Sequence, residues 1–283
     1  MKVLAVGAAG SNAGSVAPEL VKRGVQVRGL VRDRSRIEKA QRGGVTETVV
    51  ADLADLDAIT RACEGVDGVF GIIPAFAEDE ARIGTNMVEA AVRAGARKFV
   101  FSSVYHPSTS ALSNHRNKQP AEAALYDSSL DFTILQPAIF MQQLAGLWQS
   151  ARQTGSIAMP YSTESRMAYV DYRDVAEVAA EAFVTDRFNG GTFELSSPGT
   201  YSRNDLAVLM SETLGKPVTA QAPDFDAWAD SARIPHGPMR DGLKAMNEHY
   251  DRHGFPGGNA LVLTAMLGRQ PCTVRGFIEE LAR

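Results

Sequence analysis

The sequence predicts an α/β fold: a doubly wound parallel sheet with helices on both faces, followed by a smaller α+β portion that is partly interleaved with it. Three observations carry this. Short apolar runs alternate with stretches of helical spacing through the first half of the chain, the pattern of strands buried on both faces and joined by crossover helices. The first apolar run ends in closely spaced glycines and passes directly into a helical pattern. With 283 residues and 45% hydrophobic content, the chain can bury the core of one large domain with an appendage.

Val3 to Val6 form the first strand, and Val16, Ala17, Leu20 and Val21 then recur at helical spacing. "GVQVRGLVR" reads as the second strand, "SRIEKAQRGG" as a short helix and "TETVVADL" as the third strand. Helical spacing resumes in Leu56, Ile59 and Ala62; "GVDGVFGIIP" is the fourth strand, "ARIGTNMVEAAVRAGA" a helix and "RKFVFSSV" the fifth strand. Right-handed crossovers are expected throughout. The polar stretch "YHPSTSALSNHRNKQP" reads as a loop, "AEAALYDSS" as a helix and "LDFTILQP" as a strand. Beyond it the alternation loosens: a helix near Val175, a strand at "GTFELSS", and "SRNDLAVLMSETLG" with the serine start and glycine stop of a helix. "TVRGFIEELAR" closes the chain as a helix, and the stretch 221–259, rich in Pro, Gly, His and aromatic residues, reads as a cap. With no internal repeat or low-complexity linker, the expected division is a sheet domain over 1–150, to which segments near 165–200 return, and a smaller domain over 151–283.

A formal net charge of -4 argues against a broadly basic surface for nucleic acid, leaving only a local basic patch in "VRDRSRIEKAQR". Cys63 and Cys272 belong to no C-x-x-C pair, the sparing usage of a reducing compartment. No leader pattern opens the chain and no run is long enough to span a bilayer, so the expected setting is cytoplasmic, without membrane, for a monomer or homodimer.

The opening "MKVLAVGAAGSNAG" sets Gly7 and Gly10 where a strand hands over to a helix. Glycine permits the tight turn and the close approach of a diphosphate, and a helix start offers unpaired N–H groups. The spacing is G-x-x-G-x-x-A, with Ala13 in third place and Gly14 one residue later, rather than G-x-G-x-x-G. Ser11 and Asn12 complete the loop. In such a sheet the end of the second strand meets the adenosine ribose. There stand Arg32 and Arg34, with Arg36 in support, which favour the 2′-phosphate of NADP(H) over NAD(H); Asp33 between them is the counter-argument, since it suits a free ribose. After the third strand, Asp52 can accept a hydrogen bond from the adenine amino group while Leu53 packs on its ring; Ile73 and Pro74 end the fourth strand, near the nicotinamide ribose.

These residues, with "FVFSSV", "HRNK" and Glu122 downstream, "LDFTILQPAIFMQQ", "YVDYRDVAEVAAEAF", "FELSSPGTYSRNDLAVLMSETLGKPV" and "YDRHGFPGGNALVLTAMLGRQP", resemble the NmrA-like branch of the atypical short-chain dehydrogenases/reductases over nearly the full chain. The resemblance implies a Rossmann domain, a small C-terminal domain and a cleft between them. It also implies that Gly7, Gly10 and Ala13 line the diphosphate, that Arg32 meets the adenosine end, and that Lys118 and Pro137 to Phe140, including Ile139, surround the nicotinamide.

The chain departs from ordinary short-chain dehydrogenases at one point. Counting back from Lys118 in Y-x-x-x-K puts Asn114 where the tyrosine would stand, and an amide does no acid–base work near neutral pH. Such loss is frequent in a branch that includes flavin-free quinone reductases and catalytically silent NADP sensors that bind protein partners. Candidate replacements follow the fifth strand: Tyr105, His106 and His115, the last able to titrate in the useful range. Lys118 is a ribose ligand first and a proton donor second. Ser103 resembles the serine of the ordinary set, although Ser102 and Ser103 also suit a strand end.

Three further groupings have structural explanations. His249 and His253 stand at i and i+4, as metal ligands on a helix do, with only Asp251 between them, and no metal is expected. Asp171 and Asp174 look like an acid–base pair, but Asp174, preceding "VAEVAAEAF", reads more simply as a helix cap and Asp171 as a tie from loop to sheet. Phe225, Trp228, Phe140 and Met141 suit either an apolar roof or a core. The expected function is reduction of a small apolar acceptor, quinone-like, by NADPH; the alternative is a redox sensor acting on a protein partner.

Overall fold

A computed structural model describes all residues, 1–283. In chain order the first part runs β1 (Lys2–Val6), α1 (Val16–Lys22), β2 (Gln26–Val31), α2 (Ile37–Arg42), β3 (Glu47–Val50), α3 (Leu56–Cys63), β4 (Gly68–Ile72), α4 (Glu80–Arg93), β5 (Lys98–Ser102), α5 (Ser113–Arg116), α6 (Gln119–Tyr126) and β6 (Asp131–Pro137). The remainder comprises β7 (Ile139–Phe140), α7 (Leu144–Thr154), β8 (Ser156–Ala158), β9 (Met167–Val170), α8 (Tyr172–Val184), β10 (Gly191–Leu195), β11 (Thr200–Tyr201), α9 (Arg203–Leu214), β12 (Thr219–Gln221), α10 (Phe225–Ser231), α11 (Pro238–His253), α12 (Leu261–Leu267) and α13 (Val274–Leu281). The chain packs into two compact units. One holds Met1–Thr109, Asn114–Pro137 and Tyr172–Glu194; the other holds Ser110–Ser113, Ala138–Asp171 and Leu195–Arg283.

The first unit is built on a seven-stranded sheet in the order β10-β6-β5-β4-β1-β2-β3. β1 to β6 pair in parallel, β1 against β2 from Lys2↔Gln26 and against β4 from Val3↔Gly68. The apolar runs explain this: Val3, Leu4, Ala5, Phe70 and Phe99 are fully buried, as strands covered on both faces require. On one face α3, α4 and α6 bring Ile59, Met87, Ala121 and Leu125 onto the core. Chain order reverses between β1 and β4, and ligands of such sheets bind at the carboxyl ends of strands beside that reversal. Gly7 follows β1 at this place.

The second unit has two small sheets, β11-β9-β7 and β12-β8. In it α9 starts with a reciprocal cap, Ser202 Oγ accepting from the Asp205 N–H (3.1 Å) and Asp205 Oδ2 from the Ser202 N–H (2.9 Å), and ends at Gly215 with φ 65°. The stretch expected as a cap holds α10 and α11, tied by Arg240 to Asp226 (2.9 Å) and Asp230 (2.6 Å).

Two expectations need correction. The stretch "YHPSTSALSNHRNKQP" is not all loop: it contains α5 and runs into α6, because its tail carries helix-forming residues with Pro120 near the helix start. The helix expected near Val175 starts at Tyr172, so Asp174 lies inside its first turn and is not a cap preceding it.

Candidate functional site

The turn after β1 is a compact loop. Gly7 takes the left-handed conformation (φ 72°), its N–H donates to the Leu30 carbonyl (3.2 Å), and the Gly10 N–H turns back onto the Gly7 carbonyl (2.7 Å). A Cβ on Gly10 would stand 3.0 Å from that carbonyl oxygen, closer than carbon packs on oxygen without displacing it. Ala13, 5% exposed, closes the inner side. Ser11 and Gly10 lie open at the surface, and the Asn12 side-chain oxygen is buried with no hydrogen-bond partner. Such an orphaned polar atom beside an open turn marks a place for a polar ligand.

At the end of β2, Asp33 is occupied. Its carboxylate caps the turn Arg34–Arg36 by accepting from the Ser35 N–H (3.0 Å), and also accepts from the Ser35 hydroxyl. Ser35 and the nearby Arg36 and Arg32 hold its carboxyl below the usual range. Arg32, Arg34 and Arg36 themselves are exposed. Asp33 is thus engaged within its own turn, while three guanidiniums around it face solvent. Asp52, exposed, accepts from the Ala54 N–H (2.9 Å); Leu53 is half-buried. Ile73 is buried and Pro74 exposed at the mouth of β4.

The end of β5 is dense with polar groups. Ser102 is buried and accepts from the Tyr172 hydroxyl (3.2 Å), so it serves the strand end. Ser103 donates to Glu122 Oε1 (2.5 Å), which also accepts from Gln136 Nε2 (2.9 Å), and burial raises the Glu122 pKa against these two bonds. Tyr105 is buried, its ring 4.1 Å from that of His106, and burial raises its hydroxyl pKa, with the nearby Glu194 adding to the rise. His106 holds φ 52° and lies 3.5 Å from Glu194 Oε1.

His115 behaves unlike the titrating group the sequence suggested. Only 1% of it is exposed, its Nδ1 faces the His106 carbonyl (3.2 Å), and a carbonyl can only accept, so that nitrogen carries the proton. Burial pushes its pKa down to about 4, against the backbone hydrogen bonds and with the Lys118 charge helping. At neutral pH His115 is a neutral structural donor. Asn114 is half-buried and its side-chain oxygen has no partner.

Lys118, 4% exposed, donates to Glu80 Oε2 (2.6 Å), and Glu80 is 2% exposed. Burial lowers the Lys118 pKa and the Glu80 charge opposes that fall. Sequence reading missed Glu80, because it is one of three successive acids, Glu78, Asp79 and Glu80, and nothing local distinguishes the one that turns inward. Pro137 ends β6 with its carbonyl accepting from the Tyr105 N–H (3.0 Å).

In the second unit, Ile139 and Phe140 are half-buried in β7, and Met141 is fully buried. Asp171 accepts from Gln142 Nε2 (2.7 Å). The Phe225 and Trp228 rings lie 5.9 Å apart on α10, and those of His249 and His253 4.8 Å apart on α11. Nowhere do three His, Cys, Asp or Glu side chains gather with metal-holding geometry. No helix is long and apolar enough to cross a membrane.

Residues 1–276 match the model of the NmrA-like family. An NAD(P)H azoreductase of Xenophilus azovorans is 28% identical over 249 residues, spanning 88% of this chain and 86% of that one. Among solved structures, the NADPH-dependent quinone oxidoreductase of Escherichia coli complexed with NADPH aligns over 100% of both chains with a TM-score of 0.85 at 22% identity. NmrA, a negative transcriptional regulator in complex with NADP, aligns over 99% of this chain and 94% of that one, with a TM-score of 0.76 at 18% identity.

Proposed function

The chain belongs to the NmrA-like family, and from that premise we propose that it is an NADPH-dependent reductase of a small, flat, apolar acceptor of quinone type. The observation that carries the reading is the pairing of two features at neighbouring strand ends: a turn at Gly7 and Gly10 that a Cβ would fill, and exposed Arg32 and Arg34 beside an aspartate already engaged by Ser35. Gly7, Gly10, Ser11, Asn12 and Ala13 would hold the diphosphate, the orphaned Asn12 oxygen accepting from a ribose hydroxyl. Arg32 and Arg34 would pair with the 2′-phosphate, which a guanidinium matches and a carboxylate repels. Asp52 and Leu53 would meet adenine, and Ile73, Pro74 and Ser103 would line the nicotinamide side.

NADPH supplies a hydride when bound; hydride and one proton together convert a quinone to its hydroquinone and leave NADP+. The protein's part is orientation and exclusion of water. Lys118 would donate to ribose hydroxyls and to the acceptor oxygen. Tyr105 and His115 contribute less than the sequence suggests, since the first is buried with a raised pKa and the second is neutral. A quinone eases this requirement, because the phenolate formed on hydride transfer is stabilised and takes its proton from water.

A second reading, an NADP(H) sensor that acts through a protein partner, is favoured by Asn114, which stands at the tyrosine position and cannot exchange a proton near neutral pH. Turnover separates the two: addition of benzoquinone to protein saturated with NADPH consumes the nicotinamide absorbance under the first reading and leaves it unchanged under the second.

A further inference from the structure

The carboxylate of Glu80 uses both oxygens, one on a buried donor and one on a half-buried donor. Oε2 accepts from Lys118 Nζ at 2.6 Å, and Oε1 accepts from the Phe76 N–H. Phe76 lies in the turn after β4 and holds φ 59°, a left-handed conformation that a non-glycine residue adopts only when its surroundings impose it. Glu80 is the first residue of α4, a helix of 14 residues, where the unpaired N–H groups favour a negative charge. Helix α4 and helix α6, which Lys118 immediately precedes, approach closely at Gly84, one turn beyond Glu80: a Cβ there would stand 2.7 Å from the Ala121 Cβ. One side chain therefore joins Lys118 to the turn that follows Ile73 and Pro74.

We infer that Glu80 is a positioning residue for Lys118, holding its ammonium and the left-handed turn at Phe76 in one fixed arrangement and leaving the remaining Nζ–H groups of Lys118 to donate to the bound nucleotide and acceptor. This rests on the reductase reading. Only a carboxylate fits the place. An amide offers one acceptor oxygen and one NH2, so facing two donors it must set donor against donor at either Lys118 or Phe76. The charge matters as well, because a buried ammonium deprived of its counter-ion tends to release its proton. No other group takes over. On α5, His115 is neutral; on α6, which starts just after Lys118, Glu122 is held by Ser103 and Gln136; β6 presents the uncharged Gln136.

The test compares Glu80→Gln, Glu80→Asp, Lys118→Met and Glu80→Gln combined with Lys118→Met. Three readouts are taken: the ammonium titration of Lys118 by nitrogen-15 NMR without nucleotide, its signal identified by loss in Lys118→Met; NADPH affinity by fluorescence; and kcat and KM for benzoquinone against pH. In Glu80→Gln the Lys118 signal is expected to titrate at least about one unit lower, and kcat to fall about tenfold on the alkaline side while changing little near pH 6. Glu80→Asp, which keeps the charge, loses less. In the Lys118→Met background, Glu80→Gln costs less than about twofold in kcat, because two residues acting as one unit are not additive. Equal losses in both backgrounds, a loss independent of pH, or an unchanged Lys118 titration would overturn the inference. Removing one partner of a buried pair can unfold a protein. Should Glu80→Gln do so, Glu80→Asp is read with and without Lys118→Met by kcat alone: a loss seen only where Lys118 is present supports the inference, and equal losses in both backgrounds overturn it. Wild-type protein that neither binds NADPH nor reduces benzoquinone, yet shows the Lys118 titration shift in Glu80→Gln, would overturn the reductase reading and with it the assigned purpose of the pair, leaving the coupling as purely structural.

Discussion

Gly10 and His115 show how single residues set what this site can do. With 3.0 Å between a hypothetical Gly10 Cβ and the Gly7 carbonyl oxygen, a side chain there presses on the carbonyl that the Gly10 N–H itself binds and covers the open face of the turn. Gly10→Val is therefore expected to abolish NADPH binding in a fluorescence titration while the protein remains folded; wild-type affinity would remove the loop from the nucleotide site. His115 has a folded-state pKa of about 4, below the ordinary value of 6.5, so the unfolded chain binds the extra proton first. Its contribution to stability is therefore fully present above about pH 6.5 and is lost as pH falls towards the folded value, by up to about 3 kcal/mol. Thermal melts of wild type and His115→Gln across that window should show a steeper acid fall in the wild type; parallel curves would mean that His115 is not the group responsible. The histidine was visible in the sequence as a candidate, but its burial depends on the backbone of Tyr105 and His106, which only the folded chain supplies. Glu80 is the converse case, a residue with a defined partner that carries no local signal.

At the scale of elements, legibility followed length. β1, β2, β4, β5 and β6 each span five to seven residues of mostly apolar sequence, enough for the pattern to declare itself. β7 and β11 have two residues each and β8 and β12 three, too few to carry any period, and their pairing is a product of the surrounding fold. Helix α9 could be read at both ends because its caps are chemical: serine and aspartate at the start, glycine at the stop. The sequence pattern places the start of α8 three residues late because Asp174 resembles a cap, whereas the helix begins at Tyr172. For α9, Ser202→Ala leaves the Asp205 N–H without its acceptor and is expected to cost about 1 kcal/mol of stability by denaturant titration. An unchanged midpoint would show that water replaces the cap without loss.

At the scale of the whole molecule, the sequence pattern, the order of the seven-stranded sheet and the match over residues 1–276 agree on one architecture. The site follows from that architecture, since chain reversal between β1 and β4 puts the Gly7 turn at the carboxyl end of the sheet. What the pattern could not supply is the assignment of polar groups around β5, where Ser102, Ser103, Glu122, Gln136, Glu80 and Lys118 sort into separate hydrogen-bonded sets only once β5, α4, α6, α8 and β6 are packed. The most direct measurement is a fluorescence titration of the protein with NADPH and with NADH, followed in the same cuvette by benzoquinone and the decay of nicotinamide absorbance. Saturable binding that is tighter for NADPH, with protein-dependent decay, is the expected result. Binding of neither nucleotide, or binding without decay over a series of acceptors, would contradict the reductase account.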